Sequence, residues 1–299
     1  MKRIKVAVVG YGNIGRYALS ALEKAADMEC VGVVRRCGCS EGIKELEGYK
    51  VVSDISELGQ VDVAILATPS RSVGENAFKY LSMGISTVDS FDIHSGIRQL
   101  RSSLMPVARA NNAVSIISAG WDPGTDSIIR ALVEAMVPEG DTYTNFGPGR
   151  SMGHSVVAAS KPGVIKALSM TIPVGKGIHR REVFVELEPG CDFASVEKAV
   201  REDPYFVNDE TAVFQVPDVG AIDTHMHGVK LERSGLSGKT EGQQIDFNMR
   251  INNPALTGQI LVSAARAATR QSPGCYTTVE IPVIDFLPGE RDELIGKLV

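Results

Sequence analysis

The opening stretch of the chain narrows its possible folds more than any other feature. Residues 4–9 are apolar and rich in β-branched side chains, broken only by Lys5, and they stop at Gly10-Tyr11-Gly12-Asn13-Ile14-Gly15. A short apolar run ending at glycine reads as a buried parallel strand. Ile14, Ala18, Leu22 and Ala25 then recur at spacings of three and four, so residues 14–26 read as a helix. A G-x-G-x-x-G pattern that leaves a strand and opens a helix is the dinucleotide fingerprint. Gly10 permits the tight turn, Gly12 lets the backbone approach a pyrophosphate, and Gly15 lets helix and strand pack closely. Tyr11, Asn13 and Ile14 lie within the same turn. The helix N-terminus adds free N–H groups and the positive end of its dipole. An ordinary glycine turn before a helix is the alternative.

The pattern continues. Residues 30–34, 51–52, 62–67, 85–88 and 114–118 read as strands, and residues 72–83 and 97–110 as helices. Strands alternating with helices predict a doubly wound parallel sheet. After a further helix over 124–137 the character changes. Residues 182–188, 228–233 and 244–251 alternate polar and apolar side chains, as antiparallel strands with one wet face do. Residues 192–201 and 255–270 read as helices. The expected fold is therefore α/β: an N-terminal Rossmann sheet, then an α+β domain on a mostly antiparallel sheet. The expected boundaries are 1–120 for the first domain, rejoined by about 277–299, and 121–276 for the second, which would bind substrate and oligomerise.

An NAD enzyme usually carries an acid about 20 residues beyond the fingerprint, on the ribose 2′-hydroxyl. Here the second strand ends in Arg35-Arg36, and the next acid is Glu41. Two guanidiniums suit a 2′-phosphate in charge and in bidentate geometry, so NADP is the expected cofactor. Three later strands end in small or polar residues at the carboxyl edge, where ligands bind in such sheets. These ends are Thr68-Pro69-Ser70, Ser90-Phe91-Asp92 and Ala119-Gly120-Trp121-Asp122-Pro123. Asp92 and Asp122 suit a cationic substrate group near a nicotinamide; each can instead cap the following helix. Trp121 fits a cleft wall.

Other classes are disfavoured. The net charge is -5 and the basic residues are dispersed, which argues against nucleic acid. No apolar run approaches the ~18 residues of a membrane span, and the run after Met1 is too short for a signal peptide. Five cysteines make no even framework, so reduced thiols in the cytoplasm are expected. Cys37-Gly38-Cys39 has no second cysteine pair, and no pattern completes a site around His225 and His227, so no metal is expected. His94 and His154 are weaker candidates as proton carriers. A thioester-forming semialdehyde enzyme would need a nucleophilic cysteine near the cleft, and Cys191 and Cys275 sit in unremarkable contexts. No lysine near Asp92 or Asp122 matches a sugar oxidoreductase. A non-catalytic NADP-binding sensor stays open as an alternative.

Several runs together carry a likeness to a known family. They are Gly10 to Gly15, Ser90-Phe91-Asp92-Ile93-His94, Ser118-Ala119-Gly120-Trp121-Asp122-Pro123-Gly124, Asn145-Phe146-Gly147-Pro148-Gly149 and Met249-Arg250-Ile251-Asn252-Asn253-Pro254. Across almost its whole length the chain resembles the meso-diaminopimelate dehydrogenases. The resemblance implies NADP-dependent, reversible oxidative deamination of the D-centre of meso-diaminopimelate, in lysine and cell-wall precursor synthesis, by a homodimer or larger oligomer. It implies substrate contacts at Asp92, Asp122, Phe146, Thr171, Arg181, His227 and Asn253, with Met152 and Gly153 lining the same pocket. Trp121 joins them by its place between a strand end and Asp122, and the chemistry suits Asp92 and Asp122 to hold the substrate ammonium and pass on its proton.

Overall fold

A computed structural model of the chain describes residues 3–40, 42–222 and 227–299; nothing is described of the Met152 side chain. Contacts divide the chain into two compact units, Met1–Ala131 with Pro254–Val299, and Leu132–Asn253. The divisions expected from the sequence fall at 120/121 and 276/277.

Among the described residues, the first unit runs β1 (Ile4–Val9), α1 (Asn13–Glu23), β2 (Met28–Val34), β3 (Val51–Val52), β4 (Val63–Leu66), α2 (Ser70–Ser82), β5 (Ser86–Asp89), α3 (Ile97–Ala110) and β6 (Val114–Ile117). Helix α4 (Thr125–Met136) straddles the division. The second unit continues with β7 (Glu139–Phe146), β8 (Gly149–Arg150), α5 (Met152–Ala159), β9 (Val164–Gly175), β10 (Ile178–Leu187), α6 (Phe193–Arg201), β11 (Glu210–Gln215), β12 (His227–Ser237) and β13 (Thr240–Ile251). The chain then returns through α7 (Asn253–Ala268), β14 (Gly274–Thr277) and α8 (Arg291–Leu298).

The first unit is the expected doubly wound sheet. Its strands are all parallel, in the order β14-β6-β5-β4-β1-β2-β3. The direction of winding reverses between β1 and β4, which is where such sheets open a crevice at their carboxyl edge. Period-two alternation along β1 feeds two cores. Val6 and Val8 pack with Ala18, Leu19 and Leu22 of α1 and with Leu261, Val262 and Ala265 of α7. Ala7 and Val9 pack with Val73, Ala77 and Leu81 of α2 and Leu104 and Ala108 of α3. Helix α7 is buried on most of its surface because it is apolar or small nearly all round. At Gly258 it presses on α1 so closely that a Cβ would stand 2.7 Å from the Ala18 nitrogen. That packing, and the β14–β6 pairing, are why 254–299 belong with the Rossmann unit. Arg266, 4% exposed, anchors α7 by two hydrogen bonds to the Asp27 carboxylate, one of them 2.9 Å, and by one to the Phe286 carbonyl.

The second unit carries two sheets rather than one. One is the antiparallel set β13-β12-β7, and the other runs β11-β10-β9-β8, antiparallel except for the β10–β11 pair. Val183 and Val185 of β10 form a core with Val196 and Val200 of α6, Phe206 and Val213.

Candidate active site

The glycine turn forms a shaped cradle. Gly10 has φ +91°, and a Cβ there would stand 2.5 Å from the Ala67 carbonyl oxygen. A Cβ on Gly15 would lie 2.3 Å from the Gly10 oxygen, so only glycine lets α1 sit this close to the turn. A Cβ on Gly12, by contrast, would meet nothing within 4 Å. Gly12 caps α1 with no side-chain hydrogen bond, leaving the first-turn N–H groups available. Ordinary backbone with open space before an uncapped helix N-terminus fits a pyrophosphate. Tyr11 lies in the turn, and Asn13 and Ile14 open α1. Beyond β2, Arg35 donates to the Cys39 carbonyl, and Arg36 is exposed. Glu41 and His225 lie outside the described residues.

The three strand ends fall at the same carboxyl edge. Thr68 and Pro69 follow β4, and Ser70 opens α2, where its hydroxyl donates to Asp92 Oδ1 at 2.6 Å. Ser70 Oγ in turn accepts the Asp92 N–H at 3.3 Å, which fixes the exposed carboxylate across two strand ends. Ser90 and the buried Phe91 lead into it. Asp89 is wholly buried, and its carboxylate accepts the N–H groups of Phe91 at 2.9 Å and Ser118 at 3.0 Å. It thus ties the β5 turn to the β6 turn, and burial pushes its carboxyl up to about 6. After β6, Ala119, Gly120, Trp121 and Pro123 are buried, with Asp122 half-buried among them.

Sequence reasoning missed what stands beside Asp122. Arg130 Nη2 lies 2.8 Å from Asp126 Oδ2 and 3.6 Å from Asp122 Oδ1. The Asp126 side chain is 3% exposed. Burial, then the Asp122 charge, pushes its carboxyl up to about 6, against the pull of Arg130 and His94. The 126–130 spacing is a visible i, i+4 pair on α4; the burial of Asp126 and the approach of Asp122 from the turn before the helix are not.

In the second unit, Thr171 and Arg181 are direct cross-strand partners in β9 and β10. Arg181 donates to the Thr171 hydroxyl and, at 2.6 Å, to Asp209, another residue the sequence did not single out. Asp209 also lies 3.9 Å from His154 Nε2, whose other ring nitrogen meets Ser151 at 2.9 Å. Burial, then the Arg181 charge, lowers the His154 pKa and so favours the neutral ring. Phe146 ends β7; its N–H donates to His179 Nε2 at 2.9 Å, and the two rings stack with centroids 6.4 Å apart. His227 opens β12, and burial lowers its pKa. Met152 and the exposed Gly153 open α5, and Asn253 opens α7. Among the described residues no three His, Cys, Asp or Glu side chains are placed to hold a metal ion. Nor is any helix there long and apolar enough to cross a membrane.

Sheet order, glycine cradle and acidic strand ends together define a nicotinamide-dependent oxidoreductase of the Rossmann class. Sequence models of a CoA binding domain and of the diaminopimelic acid dehydrogenase C-terminal domain match residues 1–92 and 120–180. The chain belongs to the meso-diaminopimelate D-dehydrogenase family: the enzyme of that name from Bacteroides fragilis is 60% identical over 299 residues, 100% of both chains. The structure of a Corynebacterium glutamicum DAP dehydrogenase in complex with DAP covers 100% of both chains at 30% identity, with a TM-score of 0.79. An engineered D-amino acid dehydrogenase bound to NADP+ matches at 29% identity with a TM-score of 0.73, again covering both chains fully.

Proposed function

We propose that this protein catalyses the reversible, NADP-dependent oxidative deamination of the D-centre of meso-2,6-diaminopimelate. The products are ammonia and L-2-amino-6-oxopimelate, which cyclises to tetrahydrodipicolinate. One observation carries the reading. Two carboxylates, Asp92 and Asp122, follow consecutive strands at the carboxyl edge of a sheet whose glycine cradle fits a dinucleotide. The first unit binds the cofactor, and the second serves substrate recognition and oligomerisation, as a dimer or larger.

When bound, the nicotinamide accepts the hydride that leaves the substrate α-carbon. Before that transfer the α-nitrogen must be neutral. Asp92 and Asp122 hold the ammonium and take its proton, directly or through water. Asp92 is suited to this because Ser70 fixes its orientation. The resulting imine is open to attack by water. Arg35 and Arg36 bind the 2′-phosphate. Arg181, oriented by Thr171 and Asp209, offers a cationic fork to the distal carboxylate. His227 assists as a neutral ring, and Asn253 takes the distal amine. Trp121, Phe146, Met152 and Gly153 shape the pocket. Binding energy at the distal end orients the reacting end.

Meso-diaminopimelate deuterated at its D α-carbon tests the reading. Deuterium at nicotinamide C4, with one ammonia per reduced cofactor, is expected. Reduction without transferred label contradicts it.

A further inference from the structure

Asp126 is a buried carboxylate that the reaction as described above does not use. It stands on the first turn of α4, four residues before Arg130 on the same helix face, and the turn that precedes the helix brings Asp122 to the same guanidinium. Arg130 Nη2 approaches Asp126 to 2.8 Å and Asp122 only to 3.6 Å. Asp122 Oδ1 and Asp126 Oδ1 are both shut off from solvent with no hydrogen-bond partner among the described residues. A charge that deep is retained only when it is compensated. The guanidinium compensates Asp126 first and leaves Asp122 the less engaged of the two.

We propose that Asp126 is a positioning residue for Asp122: it draws Arg130 to itself, and so leaves the Asp122 carboxylate available to hold and deprotonate the substrate ammonium. This rests on the role given to Asp122 under the proposed function. With both carboxylates ionised, the trio carries one net negative charge, which attracts an ammonium. With Asp126 neutral, Arg130 pairs with Asp122, and the net charge falls to zero. The same geometry makes the device pH-sensitive. The titratable and charged groups acting on Asp126 are Asp122, Arg130 and His94, and burial with the Asp122 charge pushes its carboxyl up to about 6. Below that value Asp126 takes a proton and the arrangement relaxes toward the neutral case.

The test compares D126N, D122N and the double variant D126N/R130M in steady-state turnover of meso-diaminopimelate with NADP from pH 5.5 to 9. Thermal midpoint and NADPH affinity report on folding. D126N is expected to lose about 10- to 100-fold in kcat/KM at pH 8, less than the roughly 10²–10⁴-fold of a proton acceptor itself, because Asp126 acts through Asp122. The loss should become smaller as pH falls through about 6, where the parent Asp126 increasingly takes its own proton. D126N/R130M restores one net negative charge and frees Asp122 from the guanidinium, so that the substrate ammonium becomes its counter-ion; it is expected within about fivefold of the parent at pH 8. D126N within twofold of the parent at pH 8, while D122N is impaired, overturns the proposal. So does a loss in D126N that is equal at every pH and not recovered in the double variant. If D122N itself turns over normally, the role assigned to Asp122 falls instead.

Discussion

Gly12 and Gly15 lie three residues apart in one motif, yet the structure gives them different tasks, and alanine separates them. At Gly12 the backbone has φ -87° and ψ -162°, which any residue adopts, and the added methyl meets nothing within 4 Å. Alanine at an N-cap costs up to about 1 kcal/mol relative to glycine. The stiffer unfolded chain returns roughly 0.4–1 kcal/mol. Without cofactor, the G12A protein should therefore melt within ~2 °C of the parent. The methyl fills the space the pyrophosphate needs. Losing one or two charge-assisted hydrogen bonds to the helix N–H groups removes about 3 kcal/mol, or roughly 100-fold in NADPH affinity. At Gly15 the methyl would lie 2.3 Å from the Gly10 oxygen, so α1 or the turn must shift by most of an ångström. Overpacking of that kind costs ~1–3 kcal/mol, and G15A should lose stability as well as binding. Calorimetric melting without ligand and titration with NADPH read the two effects apart. NADPH binding by G12A within threefold of the parent would refute the reasoning, because the open space at Gly12 would then not be the cofactor's.

Other consequences follow from the same structure. Replacing Arg35 and Arg36 by serine should raise the KM for NADP about 100-fold, from two lost charge-assisted bonds of about 1.5 kcal/mol each, and leave the KM for NAD within threefold; equal effects on both cofactors refute the assignment. D27A leaves the Arg266 guanidinium buried with one carbonyl partner, and should destabilise the fold by about 3 kcal/mol in denaturant titrations. Asp27 also has a sign in pH. Its hydrogen bonds with Arg266 hold its carboxyl below the usual range, so its contribution is present above that range and is lost as pH falls through the lowered value. Asp89 runs the other way. Burial raises its carboxyl from 3.8 to about 6, so the folded state binds the extra proton between those values. Its contribution to stability grows as pH falls through that window, by at most about 3 kcal/mol. D89N should lack that slope, so the stability difference between parent and variant should itself change between pH 4.5 and 7.5, measured by denaturant unfolding.

The Rossmann half was legible because its signals are local. Apolar runs of four to six residues ending at glycine or at polar residues mark β1, β4 and β6, and α3 falls on the residues its periodicity marked, Ile97–Ala110. The second half was legible only where one face is wet. The alternation in β10, β12 and β13 stood out, whereas β9, with Pro173 near its end, and the short β11 lack a clean period. The division between the units was obscured by α7. An all-round apolar helix announces burial, not the partner it is buried against, and the contact of Gly258 with α1 is a long-range fact. The same limit applies at the site. Asp92 and Asp122 were found by their place after strands. Asp209, reached from Arg181 across the β10–β11 connection, and Asp126, made unusual only by its burial, depend on tertiary structure.

NADPH formation with meso-diaminopimelate and NADP, set beside the LL isomer and beside NAD, decides the assignment. Rapid turnover is expected with the meso isomer and NADP, none with the LL isomer, which has no D-centre, and much weaker turnover with NAD. Equal rates with the meso and LL isomers, or no turnover with either, would contradict it.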